Sequence, residues 1–246
     1  MSKECVDKCE MIIIEPNEEI VHKFNSWWKN GCDDVSMKDI LGIECEGKAK
    51  EKGIVFSEIK RGEEILDSVF EKLKNGKITE TEKAVILLDC IYHTQIKNVT
   101  HFAIVLREHL ESEEGRKMFS KIADANTPKE KADCVDKIAS LVKKKEGGNY
   151  AYSFATKFCN RINPNKYPIF DGYVGWLLKY YNHENKENFG KYDSFVEEYK
   201  TFKEKFKLTE CSYKELDVFL WTYGKALNIM YPECKAHKSV DYKEPN

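Results

Sequence analysis

The segment SYKELDVFLWTYGKAL, residues 212–227, decides the fold class. Ser212 followed three residues later by Glu215 is a capping box, in which the two side chains satisfy backbone N–H groups left over at a helix start. Leu216, Phe219, Leu220, Tyr223 and Leu227 then recur at three- and four-residue spacing, the period of one buried helical face. Trp221 falls off that face.

The same pattern runs outward along the chain. Asn17 caps a helix carrying Ile20, Phe24, Trp27 and Trp28. Ile65, Leu66, Val69, Phe70 and Leu73 mark a helix that stops at Asn75–Gly76. Thr79 with Glu82 opens the next, along Val85, Leu88 and Tyr92. Another begins near Asn98 and runs through Phe102, Leu106 and Leu110. Thr127–Pro128–Lys129–Glu130 combines a cap, a first-turn proline and a third-position glutamate ahead of Val135, Ile138 and Val142. Gly147–Gly148 interrupt the period, and a helix with Phe154, Phe158 and Ile162 ends at Asn163–Pro164, since the residue before proline avoids the helical region. Asp171 caps a helix with Val174, Leu177 and Leu178, and Tyr192, Phe195, Tyr199 and Phe202 form a further face. Residues 30–60, with four glycines, are the least regular part, and any short strands belong there. The expected fold is all-α, a compact multi-helix bundle of two lobes: a helical and irregular region over 1–78, a helical domain over 79–230 and a polar tail over 231–246.

Composition excludes several classes. Of 246 residues, 41% are apolar and 33% charged, a globular balance. Apolar runs are too short to cross a bilayer, so no membrane partner is expected. MSKECVDKCEM places charges where a secretion signal has its apolar stretch, which points to the cytoplasm. The nine cysteines are odd in number and scattered, and are expected as free thiols, mostly packed as small hydrophobes. His93 and His101 lack supporting ligands at metal-binding spacing, so neither metal nor cofactor is expected. The net charge of −2 is unevenly spread: about −6 over residues 1–140 against about +4 over 141–210.

Three stretches can carry chemistry. KKKEGGNYAYSFATKFCNRINPNKYPIFDGYVGWLL, residues 143–178, is a basic helix end, a glycine turn, a helix, a proline turn and an Asp-capped helix. Lys143, Lys144 and Lys145 with the Gly147–Gly148 turn suit a phosphate, because glycine turns that open helices expose backbone N–H groups. Asp171 sits among Tyr167, Ile169, Phe170 and Tyr173, where a carboxylate can act as a general base or stabilise a cation besides capping. ILLDCIYHTQIKNVTHFAIVL, residues 86–106, puts the polar cluster Tyr92–His93–Thr94–Gln95 in a gap between helices. Phe219, Trp221 and Tyr223 crowd aromatics onto helical positions 219–223, and the off-face Trp221 offers a flat ring for stacking. Each stretch also has a plain reading, as a solvated turn, a cap or core packing.

In their order along the chain these stretches resemble the helix–hairpin–helix DNA glycosylases, the superfamily of endonuclease III and 8-oxoguanine glycosylase. YPIFDGYVGWLL, residues 167–178, is similar to the family's segment bearing the catalytic aspartate at a helix start. The resemblance, over roughly residues 80–228, implies a helix–hairpin–helix-like segment. It implies Asp171 as catalyst, Gln95 as the wedge filling the gap of a flipped base, and Lys143–Lys145 with Gly147–Gly148 as the DNA grip. It gives Trp221 or Phe219 the base-stacking role. Lyase-active members carry a nucleophilic lysine early in the preceding helix. That place falls here near Tyr152 or Ser153, with Lys157 a turn later as the second catalytic candidate. The resemblance therefore implies a monofunctional N-glycosylase acting as a monomer on damaged or modified duplex DNA. The alternatives are a non-catalytic nucleic-acid-binding helical protein and a helical interaction protein without nucleic acid.

Overall fold

The structure, a computed structural model, describes residues 13–30, 32, 40, 55–94, 96–142, 150–182 and 191–232. Among them are ten α-helices and no strand: the protein is all-α. The interval in which short strands were expected lies largely outside the described residues. Among the described residues no helix is long and apolar enough to cross a membrane.

The chain forms two compact units. One comprises residues 1–60 with 171–246, the other residues 61–170. In the first unit, α1 (Glu18–Lys29) starts where the Asn17 side chain accepts the Ile20 N–H at 2.9 Å. The unit also holds the first turn of α2 (Phe56–Lys74), then α8 (Gly172–Asn182), α9 (Tyr192–Lys205) and α10 (Tyr213–Met230). The Ser212–Glu215 box opens α10 as read from the sequence. Phe24 meets Phe219 edge-on at 5.2 Å, and Phe219 stacks on Tyr223 at 5.7 Å. The backbone of Ile14 is held at both ends: its N–H donates to the Tyr223 hydroxyl and its carbonyl accepts from Tyr181, each at 2.8 Å.

The second unit continues α2 and adds α3 (Thr81–Tyr92), α4 (Val99–Glu111), α5 (Glu113–Asp124), α6 (Pro128–Ala139) and α7 (Tyr152–Ile162). Gly76, at φ +84, ends α2, and the Gly76 and Lys77 N–H groups bond back to the carbonyls of Leu73 and Lys72. The Thr127 box forms as the sequence indicates, and Asn98, near which a helix was expected to begin, proves to be its cap. The Thr79–Glu82 box does not. A 3₁₀ turn over Ile78–Glu80 delays the helix to Thr81, whose hydroxyl donates to the Ile78 carbonyl at 2.6 Å.

Helix α5 was not expected at all. Its buried residues are only Gly115, Met118 and Ile122, with Phe119 half-buried beside them, a short stripe in an otherwise charged segment. Ser112 caps it through the Gly115 N–H at 3.0 Å. A side chain at Gly115 would lie 1.8 Å from the His109 carbonyl oxygen, so the tight α4–α5 corner requires glycine.

Candidate functional site

The candidate site is a face of the first unit where α8 crosses α10. The crossing is close: a Cβ at Gly224 would lie 2.8 Å from the Tyr173 Cβ. Because Gly224 lets α8 approach this closely at Tyr173, the start of α8 lies along the middle of α10. Asp171 precedes α8, and its Oδ1 accepts the Tyr173 N–H at 3.0 Å, one of the donors a first helical turn leaves unpaired.

On α10 the half-buried residues Trp221, Lys225 and Asn228 follow at four- and three-residue spacing among buried neighbours, so they share one stripe. The Lys225 Nζ rests 4.6 Å from the centroid of the Trp221 ring, a cation–π arrangement. The Trp28 ring meets Trp221 at 6.2 Å and 79°. Partial burial lowers the Lys225 pKa, and the Asp171 carboxylate works against that shift. Burial raises the Tyr173 pKa, and Asp171 adds to it. The Asn228 amide reaches the Tyr173 hydroxyl at 3.5 Å. Asp171 and Trp221 are thus brought to one face, with Lys225 linked to both.

Lys225 carried no sequence signal beyond its position four residues after Trp221 in WTYGK. Phe219 takes no part in the face. Its side chain is wholly buried between Phe24 and Tyr223, so its ring is core and offers no surface to a base. The reason is its place on the main apolar face of α10, which Trp221 avoids.

Lys157 belongs to the second unit and is 1% exposed. Its Nζ donates to the Ser153 hydroxyl at 2.8 Å and the Phe170 carbonyl at 3.2 Å, and lies 5.5 Å from the Tyr92 ring centroid. The Phe170 N–H is bound in turn by Thr156 at 3.1 Å, and Asn160 donates to the Tyr167 carbonyl at 2.6 Å. The polar side chains of α7 therefore tie the 167–170 segment to their own helix. An amine engaged in this way is a structural donor, so the catalytic role expected of Lys157 finds no geometric basis.

One turn further along α7, the buried Arg161 organises a charge cluster with the buried Glu63 and the exposed Asp67. It pairs with Glu63 at 3.1 Å and with Asp67, and donates to the Tyr92 hydroxyl at 2.5 Å. Tyr92 donates to Glu63. Burial opposes the Arg161 charge, but Tyr92, Glu63 and Asp67 outweigh it and raise its pKa above the ordinary arginine range. Gln95, Lys143, Lys144, Lys145, Gly147 and Gly148 lie outside the described residues. Among the described residues no group of three or more His, Cys, Asp or Glu is arranged to hold a metal.

Residues 45–166, just under half of the chain, match the family model HI_0787_N, described as an N-terminal domain. An uncharacterized protein of Haemophilus influenzae is 39% identical over 87 residues, which is 35% of this chain and 41% of that protein's own length. No solved structure matches.

Proposed function

We propose that this chain is a DNA glycosylase-like protein that extrudes a damaged or modified base and hydrolyses its N-glycosidic bond. The observation that carries this reading is the half-buried Asp171 carboxylate at the start of α8, on one face with the half-buried Trp221 ring. A carboxylate fixed by a helix N-terminus can stabilise the cation that develops on the sugar as the base departs, or position the attacking water. A flat indole beside it can stack on the expelled ring.

The buried, hydrogen-bonded Lys157 amine favours a hydrolytic route without an amine nucleophile. Gln95 as wedge, and Lys143–Lys145 with Gly147–Gly148 as phosphate grip, complete the proposal on sequence grounds.

The test is a panel of duplexes, each with one damaged or modified base, assayed for released base and for strand cleavage. Binding is followed across a salt series. The reading expects at least one released base, an uncut strand, and an affinity that falls steeply with salt. Salt-dependent binding without release supports a non-catalytic nucleic-acid-binding protein instead. Neither binding nor release contradicts both.

A further inference from the structure

The position of Lys225 bears on what the Asp171–Trp221 face recognises. An ammonium group has three donors and no acceptor, so it rewards an acceptor oxygen and gains nothing from an amino group. It lies over the Trp221 ring at 4.6 Å. A planar ligand that stacks on that side of the indole must take its place. Lys225 then needs a partner to replace the ring, and an unpaired cation in a half-buried site is costly. A carbonyl oxygen on the edge of the incoming ring supplies that partner within the reach of the flexible lysine stem. Asp171 opposes the loss of charge caused by burial, and so favours the donor-only form.

We propose that Lys225 is the specificity-determining residue of this face, selecting planar rings with a carbonyl oxygen, such as keto-bearing nucleobases, over rings with an amino group at that position. The inference rests on the reading of the face given above, and its test is separable from that reading. Hypoxanthine and adenine make a matched pair of probes, the same bicyclic ring with an oxygen or an amino group. Their dissociation constants are measured by ligand-observed NMR as free bases, and by direct binding with duplexes carrying one deoxyinosine or the corresponding deoxyadenosine.

Wild-type protein is expected to prefer the keto ring by roughly tenfold or more, the worth of a charge-assisted hydrogen bond. Lys225→Met is expected to remove the preference while adenine binding persists, Lys225→Arg to retain it in part, and Trp221→Ala to weaken both ligands. A circular dichroism spectrum confirms that each variant is folded. A preference seen only with free bases assigns the face to a small molecule, and one seen only in duplexes to an extruded base; either supports the selection by Lys225. Equal binding of the two rings, a preference that survives Lys225→Met, or no binding of either in any form overturns it. A keto preference without base release sinks the glycosylase reading alone.

Discussion

Both units set cations against aromatic rings, and two of these cations, Arg161 and Lys225, meet different fates. Arg161 lies 5.9 Å from the Tyr92 ring centroid and is 7% exposed, enclosed by Glu63, Asp67 and the Tyr92 hydroxyl. Lys225 lies 4.6 Å from the Trp221 centroid and is half-buried, with Asp171 as a more remote counter-charge. A buried cation paired with two carboxylates is committed to the fold. A half-exposed one whose main neighbour is a ring face can change partners when a ligand arrives. The charge that looks strongest in the structure is therefore structural, and the looser one is the candidate for function.

The largest expected effect breaks the Arg161 cluster. Arg161→Met leaves Glu63 buried without its partner and should cost about 3–5 kcal/mol in urea unfolding. Adding Glu63→Leu should recover much of that loss, because the uncompensated charge is removed as well. If Arg161→Met is nearly neutral, the cluster is not what holds the second unit.

Next comes the pair Phe219 and Trp221, two positions apart on α10. Phe219→Ala opens a cavity in the ring cluster of the first unit and should cost about 3–5 kcal/mol. Trp221→Ala, at a half-exposed position, should cost clearly less while reducing ligand binding. Similar losses for both in thermal or urea unfolding would erase the distinction between core and site.

These two contrasts show what was legible in the sequence. The caps at Asn17, Thr127 and Ser212, the helix start near Asn98 and the stop at Gly76 were readable, because each depends on bonds spanning three to five residues. The displacement of Trp221 from the apolar face followed from helical period alone. Helix α5 was missed because Met118, Phe119 and Ile122 span barely one turn in an otherwise charged segment. The Arg161 cluster joins Glu63, Asp67, Tyr92 and Arg161, up to 98 positions apart, and no local pattern encodes such a meeting. Lys225 was missed because a lysine at that spacing reads as solvated surface. Phe219 and Lys157 were drawn into the site by the family resemblance, although their positions on buried helix faces argue for the interior.

Alkaline pH should sharpen the contrast between the units. Burial raises the pKa of Tyr173, Tyr181, Tyr199, Tyr213 and Tyr223 in the first unit, and of Tyr167 in the second. Unfolded tyrosines ionise near pH 10. Above that, the unfolded chain binds fewer protons than the folded one, so stability present below about pH 10 is lost as pH rises. Lys203 and Lys225 have the opposite sign, because burial lowers their folded pKa values, but they are two groups against six. Urea midpoints should therefore fall above about pH 10. Tyr199→Phe should blunt that fall at little cost near neutrality, since its buried hydroxyl has no hydrogen-bond partner among the described residues. A midpoint that does not change up to about pH 11 would show that these hydroxyls are open to solvent.

The smallest stability effect is expected at Asp171. Asparagine caps a helix about as well as aspartate, so Asp171→Asn should stay within about 0.5 kcal/mol of wild type in urea unfolding. That near-neutrality permits the most direct test of the division between a structural and a functional charge. Single-turnover base release is measured side by side for Asp171→Asn and Lys157→Met, each corrected for its folded fraction. The expected result is a loss of about 100-fold or more for Asp171→Asn and a rate near wild type for Lys157→Met. Full release by Asp171→Asn, or a loss confined to Lys157→Met, would contradict it.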